Sequence, residues 1–183
     1  MSHDAFETER FRVERVLEIL EHAARRLDDG EDVPLSLLKD AVAFVRASEE
    51  AAYEAGELDD SRPPLTACLQ EHAAAWPLLK AMEESLPALA HDDAIATSRF
   101  VHAADEYVAQ RREHLRVDDR LFATAATARR HVDESAQPIE SVESPGTRAL
   151  YDRLVEASAI ADIGVPTGFP TAGRRPAGER KRR

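Results

Sequence analysis

The chain of 183 residues is poor in the residues that mark several common classes of protein. Its one cysteine cannot form an internal disulfide bond, which fits a reducing compartment. Glycine occurs only 7 times, and aromatic residues make up only 5% of the chain. Valine and isoleucine do not gather into the alternating runs that are typical of β-strands. Together with abundant alanine and leucine, these shortages predict an all-α protein.

Long apolar runs are also missing from the sequence. No stretch of about 18 apolar residues occurs, so we expect no transmembrane helix. The first residues, MSHDAFE, are polar and acidic and lack the apolar core of a signal peptide. We therefore expect a cytoplasmic protein that does not associate with membranes.

Charge is distributed unevenly along the chain. The net charge is −11, yet six basic residues oppose a single acidic one after residue 163. An acidic body argues against nucleic-acid binding by the folded part. The segment 164–183 has few apolar residues to dock, so we predict a basic, disordered tail. Only this tail would contact RNA, DNA or an acidic surface.

Apolar residues spaced by three and four positions predict four helices within residues 1–133. Short connections between them favour an up-down-up-down antiparallel four-helix bundle. Residues 134–163 are predicted to form a linker and a fifth helix from Thr147 to Ala161, packed outside the bundle. The four predicted bundle helices run over about Asp4–Leu27, Pro34–Glu57, Leu65–Leu86 and Asp92–Val132.

The same spacing predicts which side chains face the core. Pro77 lies inside the third helix, where its missing N–H predicts a kink, and the segment from Pro87 to Asp93 is predicted to be a turn. The inward stripe of the second helix comprises Leu35, Leu38, Val42, Val45, Glu49 and Tyr53. That of the fourth helix comprises Phe100, Ala103, Tyr107, Gln110, His114 and Val117.

One stretch of the fourth helix, His114-Leu-Arg-Val-Asp-Asp119, has the composition of a metal site. A histidine followed by carboxylates four and five residues later puts an imidazole about one turn from a carboxylate. Imidazole and carboxylate together suit Fe, Mn and Zn. Glu57 and His72 lie on inward stripes of the second and third helices. Glu57, His72, His114 and Asp119 would suffice for a non-haem iron or manganese site with an open coordination position.

Over about residues 4–130 the sequence resembles the hemerythrin-like (HHE cation-binding) family of four-helix bundles. The resemblance rests on Glu14-Arg-Val-Leu17 in the first helix, Glu71-His72 in the third and the His114–Asp119 stretch in the fourth. That family holds two irons with histidines and carboxylates from all four helices. Carried over position by position, the resemblance implies metal ligands at Glu57, His72, His114 and Asp119.

Three other positions depart from the family pattern. The ligand position of the first helix falls on Arg10, the histidine position of the second on Tyr53, and the second position of the third on Trp76. Arginine keeps its charge, so Arg10 would repel a second metal ion and would balance Glu57 or Asp119 instead. The altered set therefore favours one ion, or none, over two.

Further residues near this set have two interpretations each. Asp118 is closer to the helical register of His114 than Asp119 is, so Asp119 would need local unwinding or a π-bulge to share that face. Cys68 lies one turn before His72, either as a small core residue or as a soft ligand. His102 and Glu106 also have a metal-ligand spacing, but they fall off the inward stripe, and we expect them on the surface.

The leading functional hypothesis is a hemerythrin-like protein that holds one non-haem iron, with a second iron, Mn or Zn as alternatives. It would handle a small diatomic molecule or peroxide as a sensor, scavenger or oxidase. A second hypothesis is a metal-free bundle that binds a partner or has a regulatory role. A third is an iron-dependent oxidative enzyme that acts on a specific small organic substrate. The pattern favours no oligomeric state.

Overall fold

The computed structural model describes residues 3–57, 63–129 and 145–163, and the side chains of residues 10–51, 73–117 and 146–163 within them. Throughout these ranges the regular structure is helical, and no strand occurs in them. The prediction of an all-α protein is therefore confirmed. The helices are α1 (His3–Asp28), α2 (Leu35–Glu57), α3 (Pro63–Leu89), α4 (Ala94–Arg129) and α5 (Pro145–Ile160).

The first four helices form an antiparallel bundle, as predicted. Each packs against two neighbours, since α1 and α3 both contact α2 and α4. In the described part, α2 and α4 are not neighbours and face each other diagonally across the core. Residues 29–34 and 90–93 connect helices at one end, which we call the two-loop end. At the other end, the one-loop end, residues 58–62 join α2 to α3.

The core is built from the apolar stripes of the helices. Val13, Leu17, Leu20 and Ala24 of α1 are buried, as their three-and-four spacing predicts. Deep burial of such side chains is the main favourable contribution to folding. The largest fully buried apolar side chains include Leu17, Ile19, Leu20, Leu37, Leu38, Leu79, Met82 and Phe100.

The helix ends at the two-loop end have local causes. Gly30 has a φ of 74°, a left-handed conformation that glycine adopts at little cost, and it follows the end of α1. Asp93 caps α4, because its Oδ1 accepts hydrogen bonds of 2.9 Å from the backbone N–H groups of Ile95 and Ala96. This cap explains why α4 begins at Ala94 rather than at the predicted Asp92.

The two prolines of α3 do not interrupt it. The turn predicted from Pro87 to Asp93 was wrong in its first part, because α3 continues through Pro87 to Leu89. A proline removes only one backbone donor, so a helix can continue through it. At the end of α3, the N–H of His91 donates a hydrogen bond of 2.9 Å to the carbonyl of Ala88. The helix is also continuous through Pro77, and the kink at that residue stays a prediction.

The fifth helix packs outside the bundle, as predicted, and it lies against α2 and α1. Arg153 binds both carboxylate oxygens of Asp40 on α2, at 2.9 and 3.1 Å. The ring of Tyr151 lies 6.2 Å from that of Phe44, and Leu154 is fully buried. The predicted domain division stays a prediction, and the predicted tail, 164–183, lies outside the described residues. None of the described helices is long and apolar enough to cross a membrane.

Candidate functional site

His114, the centre of the predicted metal site, is buried in the bundle. Its exposed fraction is 5%, on a turn of α4 whose next residue, Leu115, is also buried. An ionisable side chain is seldom buried this deeply unless it has a specific partner or role. The prediction that His114 faces inward is confirmed.

The other predicted ligands lie on described helices, but their side chains are outside the described residues. Glu57 is the last residue of α2, His72 lies in the first half of α3, and Asp119 lies in α4. Because α2 and α4 run towards the one-loop end and α3 starts there, the topology brings these positions to the same part of the bundle as His114. The side chains of Tyr53, Cys68 and Asp118 also lie outside the described residues.

The backbone of α4 bears on the choice between the two aspartates. The helix is regular α-helix without interruption from Ala94 to Arg129, so no π-bulge occurs in that range. In a regular helix, residues four apart share a face, and the fifth residue on lies well to one side. The register therefore favours Asp118 over Asp119 as the carboxylate nearer the face of His114. Asp119 as a ligand stays a prediction.

Arg10 binds a carboxylate of its own helix. Its Nε and Nη2 atoms donate to Oε1 of Glu14 at 3.3 and 3.2 Å, and 24% of its side chain is exposed. The predicted balance with Glu57 or Asp119 involves side chains outside the described residues. Arg10 lies at the position of α1 that the resemblance predicts for a metal ligand.

Trp76 lies on α3 at a position where the sequence was expected to depart from the family's ligand pattern. It is half-buried, packs against the core, and has the guanidinium of Arg46 5.9 Å from its ring centroid. Arg46 also binds Glu83 at 2.7 Å and Glu50 at 2.9 Å. Trp76 therefore packs between the core and Arg46 at the α2–α3 surface.

The surface assignment of the second histidine motif on α4 is confirmed. His102 and Glu106 are exposed, with 75% of the His102 side chain accessible and 3.5 Å between Nε2 and the carboxylate. The pair lies on the outer side of α4, away from the core that holds His114. It provides a matched control for tests of His114.

The sequence interpretation missed a polar contact at the centre of the core. Tyr107 of α4 donates a hydrogen bond of 2.8 Å from its hydroxyl to Oε1 of Glu49 on α2. Both side chains are 1% exposed. Glu49 was predicted to lie on the inward stripe but received no chemical role. A carboxylate in a run of apolar core positions was the signal that would have singled it out.

Arg111 lies beside this pair. Its Nε is 3.5 Å from the same Oε1 of Glu49, and 12% of its side chain is exposed. This Nε is buried and forms no hydrogen bond within the described part of the protein. Burial, and then the negative charge of Glu49, raise the pKa of Tyr107 well above its usual value near 10. The Tyr107 phenol therefore stays protonated as a donor.

Buried polar side chains elsewhere in the described part are hydroxyls satisfied by their own helices. Ser85 donates to the carbonyl of Ala81 at 2.8 Å, and Ser158 donates to that of Val155 at 2.9 Å. Among the described residues, deep burial of acid–base groups is thus confined to Glu49, Tyr107 and His114. All three lie on α2 and α4.

A second polar feature lies on the surface between α1 and α4. Arg112 donates to Glu21 at 2.8 Å at the edge of an open groove of about 380 Å³. This hydrogen bond is the main cause of the lowered pKa of Glu21. The groove mixes both signs of charge over a floor formed by Val101 and Val108, and no single ligand class matches it.

Among the described residues, no three side chains of His, Cys, Asp or Glu come together as a metal site. Comparison of the chain with models of protein families, with curated proteins and with solved structures finds no match. The resemblance to the hemerythrin-like family therefore stays a prediction that rests on the quoted residues.

Proposed function

We propose that the protein binds one divalent non-haem metal ion, preferably iron, inside the one-loop end of the bundle. His114 would hold the ion together with Glu57, His72 and the carboxylate of Asp118 or Asp119. An iron ion held there would supply a redox-active, Lewis-acidic centre for a small diatomic molecule or peroxide. Sensing, scavenging and oxidation are the roles that this chemistry allows.

The observation that carries this proposal is the burial of His114. A buried imidazole is unusual in a bundle core, because an apolar residue loses less free energy than an imidazole on leaving water. His114 also fits a ligand position chemically, since imidazole is a common ligand of iron, zinc and manganese in bundle cores. His114 shares α4 with Tyr107, another deeply buried acid–base group, and such groups cluster at functional sites.

The chain's own residues would shape access to such a site. Trp76 is half-buried at the α2–α3 side and would limit entry of water from there. Arg10 adds a positive charge at the same end, which would oppose a second divalent ion by like-charge repulsion. Both features favour one ion in a partly dry pocket over a pair of ions.

The test is the metal content of protein produced with added iron. We expect about one iron per chain in the parent, a large loss in His114→Ala, and no loss in His102→Ala, which removes an exposed histidine of the same helix. A parent without bound metal, after growth with iron and after titration with Fe(II), contradicts the proposal. Equal iron in the parent and in His114→Ala contradicts the role of His114.

A second experiment tests why one ion is preferred. Arg10→His combined with Tyr53→His supplies the two missing imidazoles, and the second of these restores a histidine four residues before Glu57. We expect the double variant to bind more iron per chain than the parent, with little gain in either single variant. An unchanged iron content in the double variant would show that these positions do not converge with the other ligands.

One observation favours a different function, that of a metal-free bundle with a regulatory or partner-binding role. The buried carboxylate of Glu49 already has Tyr107 and Arg111 as partners. The described core thus balances its buried acid without a metal ion. The iron measurement on the parent separates this candidate from the metal-binding one.

A further inference from the structure

The hydrogen bond between Tyr107 and Glu49 spans the diagonal of the bundle. Its donor is on α4 and its acceptor is on α2, and in the described part the backbones of these two helices are not adjacent. Most interhelical contacts in the core are apolar, and the burial of apolar surface has no preferred direction. A hydrogen bond of 2.8 Å between buried groups does not tolerate such shifts, because it requires one distance and one direction.

This bond also fixes the levels of the candidate ligands. Both α2 and α4 begin at the two-loop end and run towards the one-loop end, so they are parallel to each other. His114 follows Tyr107 by seven residues, and Glu57 follows Glu49 by eight. At 1.5 Å per residue, these positions lie about 10 and 12 Å beyond the hydrogen bond. One shared reference point therefore brings the two candidate ligand positions to the same level.

We propose that Tyr107 and Glu49 are positioning residues, whose hydrogen bond holds α2 and α4 in the one arrangement that brings His114 and the end of α2 together. The expected effect on metal affinity rests on the proposed metal-binding function. The expected effect on the arrangement of α2 and α4 concerns the metal-free protein. Neither residue needs to touch the ion. Their role is to fix the positions of the candidate ligands on α2 and α4.

Stability alone does not account for this pair. A buried polar pair is often no more stabilising than apolar residues of the same size, because both groups must leave water. What such a pair provides is a single defined arrangement, since any other arrangement leaves a buried donor or acceptor unsatisfied. A device of this kind has value at a site where atoms from two helices must meet, and little value in an apolar core.

The test uses variants that separate the hydrogen bond from the charge. Tyr107→Phe removes the donor and keeps the ring, whereas Glu49→Gln removes the charge and keeps an acceptor oxygen. Tyr151→Phe, on α5 outside the bundle, is the matched control. Each protein is titrated with Co(II) alone under anaerobic conditions, and amide hydrogen exchange of α2 and α4 is followed in the metal-free state.

We expect Tyr107→Phe to bind Co(II) about 10- to 100-fold more weakly than the parent, the usual effect of losing a group that orients metal ligands. Amides in the last turns of α2 should exchange faster in that variant without metal. Glu49→Gln and Tyr151→Phe should stay close to the parent in both measurements.

Each of the other outcomes overturns either the positioning role or the proposed function. Equal Co(II) affinity in Tyr107→Phe and the parent overturns the positioning role and leaves the proposed function standing. A loss in Glu49→Gln as large as that in Tyr107→Phe, with unchanged amide exchange, overturns it as well, because charge would then be the cause. A parent that binds no Co(II) or Fe(II) overturns the proposed function and this inference with it.

Discussion

The two halves of the bundle bury different chemistry between the same helices. Towards the two-loop end, α2 and α4 contribute apolar side chains such as Leu38, Val42 and Phe100 to the core. From the middle of the bundle towards the one-loop end, the described part of these helices also contributes Glu49 and His114, together with a tyrosine whose hydroxyl is hydrogen-bonded. The change occurs within single helices, so helix propensity does not explain it.

The difference separates the residues that stabilise the bundle from the residues that are candidates for its function. Apolar burial stabilises the fold with little dependence on pH or direction. Buried acid–base groups stabilise little in net terms and demand fixed partners. A chain that needed only a stable bundle would have apolar residues at the positions of Glu49 and His114 as well. The departure from it marks that half as the place to look for function.

Removing a large side chain from the apolar half should have the largest effect on stability. Phe100→Ala deletes a fully buried ring and leaves a cavity, and we expect it to lower the free energy of unfolding by about 3–5 kcal/mol. Ile95→Ala, at an exposed position of the same helix, should change it by less than about 0.5 kcal/mol. Urea denaturation measures both. A loss under about 1 kcal/mol in Phe100→Ala would show that this half does not carry the stability.

In the polar half, we expect a smaller loss that a second substitution partly reverses. Glu49→Leu leaves the Tyr107 hydroxyl buried without its acceptor, which should cost about 1–3 kcal/mol of unfolding free energy. Adding Tyr107→Phe removes the unsatisfied group and should recover part of that loss. The double-mutant cycle is measured by urea denaturation. Strictly additive losses would show that the two residues do not act as a pair.

Alkaline pH should weaken the polar half selectively. The folded pKa of Tyr107 is raised above its unfolded value near 10. The folded state therefore binds this proton more tightly than the unfolded state does, and the resulting stability is present below pH 10 and is lost as pH rises further. Stability of the parent should fall above pH 10 more steeply than that of Tyr107→Phe. Parallel curves from pH 8 to 11 would contradict the assignment.

The smallest effect is expected at the surface pair between α1 and α4. The pKa of Glu21 is lowered, chiefly by its hydrogen bond with Arg112, so this carboxylate stabilises the fold above its unfolded pKa near 4.5 and less as pH falls below that value. Glu21→Gln should cost up to about 1 kcal/mol at pH 7, and the difference should vanish in acid. Glu113→Gln, which affects only a pair within α4, is the control. Thermal melting at pH 7 and pH 3 measures both.

Periodicity in the sequence was enough to predict the helices and most of the inward residues that the structure describes, although Leu35, Gln110 and Val117 are only half-buried. The stripes of α1 and α4 placed Leu17, Phe100 and His114 in the core, because a side chain's face on a helix follows from its spacing alone. The predicted helix ends were less accurate, as at Pro87, because one lost donor does not outweigh the backbone hydrogen bonds that remain. The predicted ligands Glu57, His72 and Asp119 stay predictions, since their side chains lie outside the described residues.

What only the tertiary structure decided is which inward residue meets which. The sequence determined that Glu49 and Tyr107 both face the core, but they are separated by 58 positions and lie on diagonal helices. Their contact depends on how far each helix slides and turns against its neighbours, which the packing of all the side chains sets together. The same holds for α5, whose apolar stripe predicts that it docks. Only the complementary surface of α2 and α1 decides where.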